Sequence, residues 1–116
     1  MIVGVQGTNG FSNYKVFLRS MAVAMSSMKN EDNTLSIYTA GPSNINDMVL
    51  EFTNLSERGF KSRGKKIGMY KVPPSWIHEN MKDFDYFAFL NNENENYSKL
   101  VTEAKNLGVE HGIFQY

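Results

Sequence analysis

Three short stretches of this chain carry residues suited to gripping a ligand, each standing where an apolar run gives way to polar residues. They are Gly7-Thr8-Asn9-Gly10-Phe11-Ser12, Gly41-Pro42-Ser43-Asn44 and Asn91-Asn92-Glu93-Asn94-Glu95-Asn96. Glycine lets backbone come close, and Asn, Ser and Thr are neutral donors, so their chemistry is that of holding a phosphate or a sugar. Asp47, just beyond the second stretch, would contact a ribose hydroxyl or act as a base, although an acidic residue in a first helical turn also simply offsets the helix dipole. Trp76 and His78 would stack on, or hydrogen-bond to, a base; a core anchor and a surface residue are their blander roles. The candidate ligand contacts are therefore Gly7 to Ser12, Gly41 to Asn44, Asp47, His78 and Asn91, with no catalytic residue assigned.

Several chemistries are excluded. The chain has no cysteine, which removes disulfides, thiolate nucleophiles and zinc-thiolate sites. His78 and His111 lie in no metal-ligand spacing, so neither a metal nor a cofactor is expected. Gly7-x-x-Gly10 lacks the further glycine of a dinucleotide fingerprint, and no acidic residue ends the second apolar run to hold a ribose. Gly59-Phe-Lys-Ser-Arg-Gly-Lys-Lys66 imitates a P-loop until Lys66 replaces the magnesium-binding Ser or Thr, and it joins a helix to a strand, the reverse of the required order. What is left there is a basic cluster, Arg58, Lys61, Arg63, Lys65 and Lys66, expected as a solvated loop at the edge away from the ligand, with a polyanion or protein contact as the alternative. Asp83 and Asp85 sit two apart at a strand start and suit strand-edge charges better than an acid/base pair.

The elements that must position these residues follow from periodicity. Ile2, Val3 and Val5 make a buried strand, with Gly4 and Gly7 allowing close backbone approach. Asn13 to Met28, capped by Ser12 or Asn13, places Phe17, Met21, Ala24 and Met28 in one helical row with Leu18, Ala22 and Met25 beside it. Asn30 to Asn33 is a polar break. Thr34 to Ala40 alternates as a second strand, and the Gly41 to Asn44 turn supplies helix-capping residues. Ile45, Met48, Val49, Phe52 and Leu55 then form one helical face, with Gly59 placed as the stop. Lys66 to Val72 is a third strand broken by Pro73-Pro74, and Ser75 caps a short helix through Met81. Phe84 to Leu90 is a buried aromatic strand. Tyr97, Leu100, Val101, Ala104 and Leu107 make a last helix stopped by Gly108, and Val109 to Tyr116 closes the sheet. Five alternations predict one α/β domain over residues 1–116, a three-layer Rossmann-like fold whose mostly parallel five-stranded sheet carries helices on both faces.

At 116 residues the chain fits one domain, and 12 basic against 12 acidic residues leave no global field to recruit nucleic acid or an anionic membrane. No apolar run approaches a membrane span and no leader-like segment opens the sequence, so the expectation is a cytoplasmic protein.

With these residues placed, the chain resembles the SLOG superfamily, Rossmann-like domains of the YspA type that sense or process nucleotide-derived ligands. Val5-Gln6-Gly7-Thr8-Asn9-Gly10-Phe11-Ser12-Asn13-Tyr14 is similar to the family's Gly-Ser-Arg-x-Phe-x-x-Tyr opening. Thr39-Ala40-Gly41-Pro42-Ser43-Asn44-Ile45-Asn46-Asp47 stands where the family has Gly-Gly-Ala-x-Gly-x-Asp, and Ile77-His78-Glu79-Asn80-Met81 where it has an Arg-Asn pair ahead of a methionine. The order holds over nearly the whole chain, while Ala40 replaces a motif glycine and the arginines of the first and third motifs are absent. The resemblance implies the fold, a crevice over the first two loops and a nucleotide-derived ligand. The missing arginines motivate an alternative, a degenerate, non-enzymatic member acting through protein contact as a small viral effector or a subunit of a homo-oligomer. The asparagine-rich, cysteine-free composition would suit a bacteriophage-encoded protein.

Overall fold

The computed structural model describes residues 1–92 and 99–115. Its elements are β1 (Ile2–Gly7), α1 (Tyr14–Met25), β2 (Thr34–Thr39), α2 (Ser43–Ser62), β3 (Lys66–Lys71), α3 (Pro74–Asn80), a 3-10 turn (Met81–Asp83), β4 (Tyr86–Asn91), α4 (Lys99–Asn106) and β5 (His111–Gln115). The strands form one parallel sheet in the order β3-β2-β1-β4-β5, with Gly4 beside Tyr38 on one side and Phe87 on the other. This is the expected three-layer Rossmann-like α/β architecture.

Alternation along the strands sends one set of side chains to each face. Val3, Val5, Leu35 and Ile37 pack with Phe17 and Met21 of α1 and with Ile45 and Val49 of α2. Phe87 and Phe89 face the other way, onto Ile77 of α3 and Leu100 and Ala104 of α4. Covered on both sides, β4 is buried at every residue, which is why its sequence shows no polar alternation. Each fully buried large side chain contributes roughly 1.5–3 kcal/mol of transfer free energy.

Several element ends differ from the sequence expectation. Asn13 is the cap of α1, its Oδ1 accepting from the Val16 N–H at 3.1 Å, and α1 stops at Met25, short of Met28. Met25 and Met28 still pack against the core, whereas Leu18, 39% exposed, and Ala22 lie on the solvent side instead of extending the buried row. Helix α2 runs straight through Gly59, an exposed helical position, and ends before Gly64, whose φ of +71° an L side chain rarely adopts. Leu55 is 70% exposed, and Phe60, one turn on, joins the core instead. Pro74 is the first residue of α3, so Ser75 lies inside the helix and not at its cap; proline suits that position because its missing N–H would have no helical acceptor. Strand β4 begins at Tyr86, after the 3-10 turn, which frees the Phe84 ring to cover Gly4: a Cβ there would lie 2.1 Å from Phe84 Cε2. Asp85 accepts from the Ile2 N–H at 2.7 Å, a strand-edge role. Gly108, at φ +72°, follows α4 as expected; Val109 is a core residue ahead of β5, and Glu93 to Asn96, Tyr97 and Tyr116 lie outside the described residues.

On the α3 side of the β2–β3 edge, aromatic rings replace a helix. Tyr38 stands between Tyr70, centroids 4.8 Å apart, and Trp76, 4.5 Å away, so Trp76 is an anchor in a stack rather than an open platform. No helix among the described residues is long and apolar enough to cross a membrane.

Candidate functional site at the carboxyl ends of β1 and β4

After β1 the chain turns to α1 on one face of the sheet, and after β4 it passes to α4 on the other. The strand order reverses between these neighbours, and such a reversal is where parallel sheets open a crevice. The two sides of this crevice differ.

On the α1/α2 side the predicted loops converge and bind one another. The Gly7 N–H donates to Gly41 C=O at 3.0 Å, the Thr8 N–H to Leu90 C=O at 3.0 Å and the Phe11 N–H to Thr8 C=O at 3.1 Å. The Asn44 amide donates to the carbonyls of Phe11 and, at 3.4 Å, Thr8, so Asn44 staples the first loop instead of capping α2, whose flanking residue is Pro42. The Asn92 N–H donates to Thr8 Oγ1 at 3.2 Å while the Thr8 hydroxyl donates to Asn92 Oδ1. Phe11 and Asn91 are fully buried, and Asn9, Gly10, Ser12 and Ser43 are exposed. Three of the N–H groups expected to face an anion are therefore spent within the protein. Gly10 is not at positive φ; it is small because a Cβ would meet Asn92 Nδ2 at 2.3 Å. Gly7 is small for a similar reason, a Cβ falling 2.6 Å from Ile45 Cδ1 and 2.9 Å from the Leu90 carbonyl oxygen. Asp47 is an exposed residue beyond the first turn of α2, which begins at Ser43, and the N-terminal turn of that helix carries no acidic residue.

On the α3/α4 side the crevice is open. A cavity of about 520 Å³ lies over Gln6 and Gly7 of β1 and Phe89 of β4, between Pro74, Ser75 and His78 of α3 and Lys99, Leu100 and Glu103 of α4. Its floor is apolar through Phe89 and Leu100, both almost fully buried. Its rim is polar: His78 Nδ1 meets Glu103 Oε2 across the gap between the helices, and Lys99 carries a positive charge beside them. The His78 side chain is 66% exposed and that of Glu103 21%, so the carboxylate sits deeper and the imidazole covers it from the mouth. Apolar floors with a few converging polar groups characterise small-molecule sites.

Of the residues expected from sequence, Gly7 and His78 meet at this cavity; the rest of the first two loops forms the wall behind it. Gln6, Phe89, Lys99 and Glu103 were not anticipated. Glu103 left one signal, an acidic residue between Leu100 and Ala104 at the border of an apolar helical stripe. The basic cluster lies at the opposite edge, as expected. There Lys65 donates to Asn30 C=O at 2.9 Å and to Asp32 C=O, closing the polar break ahead of β2, and the Arg63 guanidinium lies 5.2 Å from the Phe60 ring centroid.

No known family model, curated protein or solved structure matches the chain.

Proposed function

We propose that this domain binds a nucleotide or nucleotide derivative at the switch point between β1 and β4, in the cavity framed by Gly7, His78 and Glu103. The observation that carries the reading is the pairing of an apolar floor with a polar rim at the place where parallel sheets bind ligands. A planar base fits against Phe89 and Leu100, within reach of the Gln6 amide. A ribose hydroxyl finds an acceptor in Glu103, and a phosphate finds a cation in Lys99, with the His78 imidazole beside it. The self-bonded loops hold Gly7 in place rather than gripping the phosphate directly. The resemblance to SLOG domains supports the same ligand class. No reaction is proposed: a carboxylate with an imidazole lacks a paired nucleophile, and binding is what the rim chemistry supports.

A thermal-shift screen of nucleoside monophosphates, cyclic dinucleotides and ADP-ribose derivatives tests this. A ligand at about a hundred times its dissociation constant adds about 2.7 kcal/mol of stability. No shift across that panel would overturn the reading.

A further inference from the structure

We infer that the outer edge of β5 is a self-pairing surface, through which two copies of the chain join antiparallel across Ile113 into one continuous sheet. The described sheet has two open edges, β3 and β5, and proteins guard such edges with charge, above all lysine. Strand β3 is guarded: Lys66 and Lys71 are both exposed, and self-pairing would gather the ammonium groups of both copies along one seam. Strand β5, His-Gly-Ile-Phe-Gln, has no lysine, arginine, carboxylate or proline, and Ile113 stands 40% exposed on it.

The backbone register suits the pairing. The Phe87 N–H donates to Glu110 C=O at 2.9 Å, and the alternation of a parallel pair then turns the N–H and C=O of His111 and Ile113 away from β4. A two-fold axis through Ile113 lets it exchange both bonds with Ile113 of the second copy. The same axis sets Gly112 opposite Phe114 and His111 opposite Gln115, so no like charges meet and no two bulky side chains collide. Five paired residues alone bury less than a stable dimer requires, and flanking surface must contribute. Val23 of α1, 42% exposed, supplies it beside β5, where it borders a concavity of about 540 Å³ shared with Tyr86 and His111.

The absence of cysteine makes the test clean. Residues exchanging both bonds across an antiparallel pair lie about 5.5 Å apart at Cα, within the range a disulfide spans. Ile113→Cys under mild oxidation should therefore give a covalent dimer much faster than Leu55→Cys, exposed on α2. Wild type should sediment as a dimer at high micromolar concentration, and Ile113→Lys as a monomer. Monomeric wild type, a persistent dimer in Ile113→Lys, or cross-linking of Ile113→Cys no faster than that of Leu55→Cys would each overturn the proposal. Should Ile113→Lys fail to fold, the cross-linking comparison decides.

Discussion

Thr8 and Asn92, 84 residues apart in the chain, hold each other at the ends of β1 and β4, the Asn92 N–H donating to Thr8 Oγ1 and the Thr8 hydroxyl to Asn92 Oδ1. The two bonds fasten the strands on either side of the switch point and fix the loop that begins at Gly7. Replacing Thr8 by valine keeps the volume and removes both, leaving the Asn92 groups without that partner. The expected cost is about 1–2 kcal/mol in a denaturant melt.

Asn44 does comparable work between the first two loops. Asn44→Ala withdraws its donor from the Phe11 and Thr8 carbonyls, with an expected loss of about 1 kcal/mol. Because these bonds lie on the α1/α2 side, ligand affinity in the cavity should change less than twofold. Melting and titration of one variant separate the two effects.

The glycines divide by what surrounds them. At Gly59 nothing lies within 4 Å of a built Cβ and the position is helical, so Gly59→Ala should stabilise by about 0.5–1 kcal/mol. At Gly7 a Cβ meets a backbone carbonyl that cannot swing aside, so Gly7→Ala should cost about 1–3 kcal/mol. Urea midpoints of the two variants must move in opposite directions.

The fold was legible because its signals are local: β-branched runs and helical rows alternate, and Gly108 and Asn13 mark ends that need no tertiary context. Where competing stop signals existed, sequence chose wrongly. Gly59 and Gly64 are both glycines near the end of α2, and only tertiary packing of Phe60 carries the helix past the first. The candidate site was half legible. Glycine-rich strand ends point to the switch point, but which side of the sheet opens depends on Asn44, Thr8 and Asn92 closing the other. Those are contacts between residues far apart in sequence. Glu103 and Lys99 enter the site only because α4 crosses that face, and no spacing relates them to His78.

Two tyrosines make stability sensitive to alkaline pH. Burial first, and Glu110 second, hold the Tyr86 hydroxyl above its ordinary 10.0; burial and Glu51 do the same at Tyr14. A raised folded-state pKa means the native state keeps its proton longer than the unfolded chain. Their contribution is therefore whole below pH 10.0 and is lost as pH rises through the folded-state values. Urea midpoints on either side of pH 10 should fall less for a Tyr14→Phe, Tyr86→Phe double variant than for wild type.

The most direct measurement is calorimetric titration of the nucleotide that gives the largest thermal shift, into wild type, Lys99→Glu, Glu103→Gln and Asn44→Ala. A ligand seated between α3 and α4 loses roughly tenfold or more in affinity with each of the first two variants, about 1.4 kcal/mol apiece. It binds Asn44→Ala within twofold of wild type. Unchanged affinity in Lys99→Glu and Glu103→Gln, with a loss confined to Asn44→Ala, would place the ligand over the loops and contradict a site in the cavity.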